Sequence, residues 1–176
     1  MKTLLISYSL SGNNEAVANR IAKQLPADHL QLTESSKRGF FRISIDLIFN
    51  RTPKVQPTAI PMEDYDFVVL IGPVWMGKIA FPLRSCLSQL KKNLKPYAFV
   101  SVCGGSNGKH PTLEVELLKR TGIEPTAVIE MHIANLLPQN VEPSYKAINA
   151  YQLTDEDFDQ LSLNVIEQLK TVLDKM

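Results

Sequence analysis

The chain has 176 residues, which is enough for one domain with a substantial buried core. Hydrophobic residues make up 44% of it and charged residues 21%, so its composition excludes the disordered and fibrous classes. The net charge of +1 lacks the basic surplus that is typical of nucleic-acid binding. No apolar run approaches the ~18 residues that a membrane span needs, so we expect a soluble, cytoplasmic protein that does not bind membranes.

The first part of the chain alternates apolar segments with segments of helical period. Residues 4–8 are almost all apolar, as expected of a strand that is buried on both faces. Apolar residues at helical spacing predict a helix over residues 14–25, which Pro26 ends. A weak alternation predicts a second strand over residues 29–33, nearer an edge of the sheet.

Residues 37–54 form a basic stretch that is interleaved with aromatic and aliphatic residues. Its apolar residues fall on more than one face of a helix. One interpretation is a second helix with a solvated basic rim. The other is a surface for a protein partner or a homodimer, or a wall beside a ligand, and the sequence leaves both open.

The second part repeats the alternation with clearer signals. Strands are predicted over residues 67–71, 97–103 and 126–133, and helices over residues 80–93 and 111–121, with Gly122 as the stop of the latter. Residues 134–153 contain two prolines and are predicted to be irregular. Thr154 and the acidic residues after it predict the start of a last helix. Five strands and five helices, counting the one considered over residues 37–54, predict a single three-layer α/β domain over residues 1–176, with a parallel sheet.

Ligands of parallel sheets bind at the carboxyl ends of the strands, and three strands here end in loops of Gly, Ser and Asn. The first loop is Tyr8-Ser9-Leu10-Ser11-Gly12-Asn13-Asn14. Backbone N–H groups and hydroxyls at the positive end of a helix dipole can hold a phosphate, and residues 3–19 contain no Lys or Arg that would do so instead. The alternative is an ordinary helix start that Ser and Asn cap.

The second loop is Gly72-Pro73-Val74-Trp75-Met76-Gly77-Lys78, after the most apolar strand. Trp75 is the only tryptophan of the chain. On a Gly/Pro turn at a strand end, it is suited to stack against a flat ligand. The alternative is a tryptophan that packs over the edge of the sheet.

The third loop is Cys103-Gly104-Gly105-Ser106-Asn107-Gly108-Lys109-His110. It nearly matches a nucleotide P-loop, but Cys103 replaces the first glycine and His110 replaces the Ser/Thr that binds magnesium. A glycine turn that lets the backbone approach a ligand requires only small residues. Cys103 itself is either a nucleophile or a small apolar residue that lines the site.

Other chemistries lack their motifs. The sequence contains no HExxH or GxGxxG pattern. Its two cysteines and three histidines have neither metal-ligand nor redox-motif spacing, and two thiols suit a reducing compartment. We therefore predict no catalytic side chain and no metal site.

Together, the three loops resemble those of the flavodoxin-like family, in order and context over nearly the whole chain. The resemblance implies a five-stranded parallel sheet of order 2-1-3-4-5 in a three-layer α/β sandwich, with FMN as the cofactor. It also implies that the FMN phosphate is held by the first loop, that Trp75 stacks on the flavin and that the Gly77 peptide faces flavin N5. The implied cofactor-binding residues are Ser9, Leu10, Ser11, Gly12, Asn13, Asn14, Pro73, Val74, Trp75, Met76, Gly77, Cys103, Gly104, Gly105 and Gly108.

One residue departs from the family pattern. Asn14 occupies the last position of the first loop, where the family has a hydroxyl residue, and an amide cannot reproduce a hydroxyl's geometry. The favoured function is electron transfer or an FMN-dependent oxidoreductase of the NAD(P)H or quinone type. The alternative is a binding or regulatory module of the same fold that has lost tight FMN binding.

The net charge of the chain indicates which redox role to expect. Flavodoxins that shuttle single electrons are typically very acidic, whereas this chain is near neutral and has Lys78 beside the second loop. A nearby cation stabilises the anionic reduced flavin. The sequence therefore predicts a less reducing flavin, suited to a two-electron reductase, and leaves the electron donor and acceptor open.

Overall fold

The computed structural model describes residues 1–34, 55–57, 60–75, 77–104 and 110–176. Its centre is a parallel sheet of five strands, in the spatial order β2-β1-β3-β4-β5. The strands are β1 (Thr3–Ser7), β2 (Ala27–Gln31), β3 (Phe67–Ile71), β4 (Tyr97–Cys103) and β5 (Ala127–His132). The predicted order 2-1-3-4-5 is confirmed.

Helices cover both faces of the sheet. They are α1 (Asn13–Gln24), α2 (Phe81–Leu90), α3 (Leu113–Thr121), α4 (Tyr145–Ala150) and α5 (Asp155–Leu173). Alternate residues of the strands pack against α1 and α5 on one face and against α2 and α3 on the other. Because both faces are buried, the inner strands are apolar at nearly every position, which is the signal that located them in the sequence. The helix considered over residues 37–54 lies outside the described residues.

Three predicted segments differ from the structure, and one of them is the helix over residues 80–93, which ends earlier, at Leu90. The second strand begins and ends earlier than residues 29–33, because Ala27 pairs with Thr3 of β1, and Thr33–Glu34 instead forms a short antiparallel pair with Val55–Gln56. This edge strand is half exposed, so its apolar pattern is weak. Residues 134–153 are not irregular throughout, since Ile133–Leu136 forms a 3₁₀ turn and α4 follows.

The helix ends that the sequence indicated are present. Gly122 has φ 84° and closes α3, donating its N–H to the Leu118 carbonyl. Thr154 and Asp157 form a reciprocal capping box at the start of α5. No described helix combines the length and the apolar character that crossing a bilayer requires.

Candidate functional site

A pocket of about 330 Å³ lies at the carboxyl ends of the strands. This is the edge at which parallel α/β sheets bind ligands, and the volume falls within the usual range for small-molecule sites. Residues of all three predicted loops meet in it, together with residues from the chain after β5. The lining residues are Leu10, Ser11, Asn13, Asn14, Pro73, Val74, Trp75, Val102, Cys103, Gly104, Ile133, Ile148 and Tyr151. None of these carries a formal charge, so among the described lining residues only backbone groups, side-chain amides and hydroxyls can hold an anion.

The first loop ends at Gly12, which has a left-handed backbone. Its φ of 94° is a conformation that other residues disfavour, and its N–H donates to the Ser9 hydroxyl at 3.0 Å. Because Gly12 is the N-cap residue and has no side chain, no described side chain caps the first turn of α1. The first N–H groups of α1 thus remain for an acceptor outside the helix, at the positive end of its dipole.

Asn14, in the first turn of α1, is tied to β4. Its side chain is buried, with 3% of the residue exposed. Nδ2 donates to the Val102 carbonyl at 3.1 Å, and Oδ1 accepts from the Val102 N–H at 2.8 Å. The amide therefore joins the first loop to the strand that leads into the third. Its contact with a phosphate stays a prediction.

Trp75 lies in a short hairpin, opposite Lys78. It is half buried. Its ring meets Tyr8 edge-on, with centroids 6.3 Å apart, and lies tilted against Phe81 at 5.9 Å. Trp75 also lines the pocket, so it packs over the sheet edge and is available to a ligand at the same time. The two interpretations of this residue are therefore compatible.

Gly72 allows the second loop to leave the sheet beside the first. A Cβ at position 72 would lie 2.5 Å from Leu83 Cδ1 and 3.1 Å from the Tyr8 carbonyl oxygen. At these distances a side chain would force the Leu83 side chain to move and would press against the Tyr8 backbone. The glycine thus brings the first and second loops close enough to share one pocket.

The third loop is described at its ends. A Cβ at Gly104 would approach Ile148 Cγ2 to 3.2 Å, so the small residue lets α4 close this side of the pocket. Of the remaining predicted site residues, Ser9, Gly12 and Gly77 belong to the described loops without being among the lining residues. Met76, Gly105 and Gly108 lie outside the described residues.

No protein-family model and no curated protein sequence matches this chain. Solved structures do match. A flavoprotein from Lactobacillus acidophilus, in complex with FMN, gives a TM-score of 0.64 at 22% identity and covers 73% of this chain and 92% of its own. The apo form of a flavoprotein from the same organism gives a TM-score of 0.59 at 22% identity, and the match covers 74% of this chain and 91% of that one. The Trp repressor binding protein of Bacillus subtilis gives a TM-score of 0.50 at 12% identity, and the match covers 92% of this chain and 98% of that one.

At such low identities the similarity establishes the fold, and the strand order agrees with it. The chain has a flavodoxin-like fold. Two larger clefts lie elsewhere among the described residues, one of about 640 Å³ between α1 and α5 and one of about 490 Å³ beside α3 and the start of β5. Neither is at the carboxyl ends of the strands, where doubly wound folds bind their ligands, so the smaller pocket is the candidate site.

Four lining residues of this pocket were not predicted from the sequence, namely Val102, Ile133, Ile148 and Tyr151. Three of them follow β5, and two of these, Ile148 and Tyr151, lie in the segment that was expected to be irregular. The signal that could have located α4 is Ser144 after a proline, because its hydroxyl accepts from the Ala147 N–H and caps the helix. The Tyr151 hydroxyl donates a hydrogen bond to Asp157. The pKa of this hydroxyl is raised, mainly by burial and to a lesser extent by the hydrogen bond.

Proposed function

We propose that the pocket binds FMN. The observation that carries the proposal is the start of α1, which no described side chain caps and which opens into a pocket whose described lining residues carry no charge. A phosphate satisfies such N–H groups and the helix dipole without a cation. A flat ring beside the phosphate finds Trp75 in the same pocket. The Lactobacillus acidophilus flavoprotein in complex with FMN, which shares the fold, supports the same cofactor.

In this proposal the phosphate and the flavin ring of FMN are bound by different parts of the pocket. The hydroxyls of Ser9 and Ser11 and the backbone N–H groups of residues 10, 11, 13 and 14 hold the phosphate. Trp75 stacks on the flavin, and the backbone at Gly104 borders its polar edge. The apolar side chains from the chain after β5 exclude water from the remaining side.

We further infer an oxidoreductase or electron-transfer role. Bound flavin supplies one- and two-electron chemistry, and the protein supplies binding, orientation and electrostatics. The near-neutral chain, with exposed Lys78 opposite Trp75 in the hairpin, favours a less reducing flavin than that of acidic flavodoxins. A two-electron reductase of the NAD(P)H or quinone type fits this better than a low-potential shuttle.

Titration of the purified protein with FMN, followed by flavin fluorescence, tests the proposal. Riboflavin, which lacks the phosphate, is the matched control. We expect FMN to be quenched at much lower protein concentration than riboflavin, because the start of α1 recognises the phosphate. Absence of quenching with both would overturn FMN binding and favour the binding or regulatory module. Equal affinity for both would overturn the phosphate site.

The redox role is tested on the FMN-loaded protein. Under anaerobic conditions, NADH or NADPH should bleach the flavin spectrum, and a quinone should restore it. A hydroquinone potential as low as that of acidic flavodoxins would contradict the two-electron role.

A further inference from the structure

Three potential metal ligands meet where β4 and β5 end. Cys103 and His132 are the last residues of these strands and pair with each other in the sheet register. Glu130 lies two residues before His132, so its side chain is on the same face. Cys103 Sγ is 3.3 Å from His132 Nδ1, and one ligand atom from each of the three residues lies within 4.8 Å of the others.

This cluster is buried. Cys103 and His132 are 6% and 7% exposed, and the Glu130 side chain is 1% exposed. An ionised carboxylate in such a place requires a positive or donating partner. His110, just before α3, provides one, because its backbone N–H donates to Glu130 Oε1 at 2.9 Å and its Nδ1 contacts Oε2. The His110 ring also stacks on His132, with centroids 6.2 Å apart.

We propose that Cys103, Glu130 and His132 bind a divalent transition-metal ion, with zinc as the best match. Thiolate, imidazole and carboxylate are the three ligand types that zinc takes in proteins. Zn–S and Zn–N bonds of about 2.3 and 2.0 Å place S and N roughly 3.5 Å apart in a tetrahedron, close to the 3.3 Å between Cys103 Sγ and His132 Nδ1. The Glu130 ligand oxygen lies within 4.8 Å of these two atoms, so it moves closer to them when the metal binds.

His110 is a positioning residue in this site. Metal ligands are usually held by a hydrogen-bonded outer partner, and the contacts of His110 with both Glu130 oxygens have this form. Three protein ligands leave a fourth position for water or another small ligand, which is the arrangement of open rather than structural zinc sites. Ser101, opposite Glu130 in the register, has a buried hydroxyl without a hydrogen-bond partner among the described residues and adds a polar group to this layer.

The metal site borders the proposed FMN pocket, because Cys103 belongs to the lining of both. Its existence does not depend on FMN. The spacing of these residues along the chain matches no metal motif, and only the pairing of β4 with β5 brings them together. The experiment therefore uses the full chain without FMN, so that the two proposals fail or succeed separately.

Cobalt(II) is the probe, since it takes zinc sites and is visible by absorbance. Added to the chelator-treated, reduced protein, one equivalent of Co²⁺ should give a thiolate-to-cobalt charge-transfer band in the near ultraviolet, and Zn²⁺ should abolish it. Cys103→Ser and His132→Gln should lose the band. Cys86→Ser is the matched control and should keep it, because Cys86 is buried within the core, where burial raises the pKa of its thiol to about 12.

His110→Ala tests the positioning role. We expect Co²⁺ and Zn²⁺ to bind ~10- to 100-fold more weakly, with the charge-transfer band unchanged in position, because the ligands remain. Zn²⁺ should also raise the Tm of the wild-type protein and of Cys86→Ser, but not that of Cys103→Ser. Absence of the band in the wild-type protein, or an equal band in Cys103→Ser, would overturn the proposal and leave a thiol–imidazole hydrogen bond only.

Discussion

The side-chain amide of Asn14 takes both backbone hydrogen bonds of Val102. Val102 lies beyond the point where β3 stops pairing with β4, since the last registered pair there is Ile71 with Val100. Without Asn14, the N–H and C=O of Val102 would face the side of β4 that β3 no longer covers. Asn14 thus acts as a short extension of the sheet, and it fixes the first loop against the strand that leads into the third.

Replacing Asn14 by Ala should destabilise the FMN-free protein by roughly 1–3 kcal/mol, because two buried backbone groups of Val102 lose their partners. Urea unfolding followed by circular dichroism measures this. Asn19→Ala, on the exposed side of the same helix, is the control and should change the stability little. Similar stabilities of the two variants would contradict this role of Asn14.

Asn14→Asp separates the structural contact from phosphate binding. The carboxylate keeps the acceptor for the Val102 N–H but loses the donor, and it adds a negative charge at the start of α1. We expect FMN affinity to fall much more than riboflavin affinity. Equal losses for both ligands would place the phosphate away from this helix end.

The sequence predicted the parts of this protein that local patterns determine. The inner strands were located to the residue over residues 67–71 and 97–103, because burial on both faces leaves an uninterrupted apolar run. Gly122 and Thr154 were recognised as helix ends for equally local reasons. The contact of Asn14 with Val102 and the cluster around Cys103 were not predicted, because they join residues that are distant in the chain and depend on the strand order.

Gly72→Ala should destabilise the protein by about 1–3 kcal/mol, because its Cβ meets Leu83 and the Tyr8 carbonyl. The closer contact is with the end of a side chain, so Leu83→Ala should relieve part of it. A double-mutant cycle by urea unfolding should therefore show that Gly72→Ala costs less in the Leu83→Ala background. Strictly additive costs would show that the backbone contact with Tyr8 decides the effect.

Trp75 should contribute to both stability and FMN affinity. Trp75→Phe keeps an aromatic ring beside Tyr8 and Phe81, whereas Trp75→Ala removes it. We expect the Ala variant to bind FMN about 0.5–1.5 kcal/mol more weakly than the Phe variant, which is the usual worth of an aromatic pair. Fluorescence titration measures the affinity, and urea unfolding measures the separate loss of packing. Equal FMN affinities of the two variants would show that the ring does not stack on the flavin.

The stability of the protein should fall on acidification through His29. Burial lowers the pKa of this imidazole below its ordinary value, against a smaller opposing effect of Glu15, and His29 Nε2 lies 2.8 Å from the buried Ser7 hydroxyl. The unfolded chain therefore binds a proton at His29 more readily than the folded protein does. The contribution of neutral His29 to folding stability is fully present above the pKa of the unfolded chain, and it is lost as the pH falls through the pKa of the folded protein.

We expect the urea midpoint of the wild-type protein to decrease between about pH 7.5 and pH 5 by more than that of His29→Gln, which cannot titrate in this range. Taking the difference between the two proteins removes the contribution of the titrating groups that they share. Parallel pH profiles would show that the protonation of His29 costs the folded state nothing. A steeper decrease in His29→Gln would show that folding raises the pKa of His29 instead of lowering it.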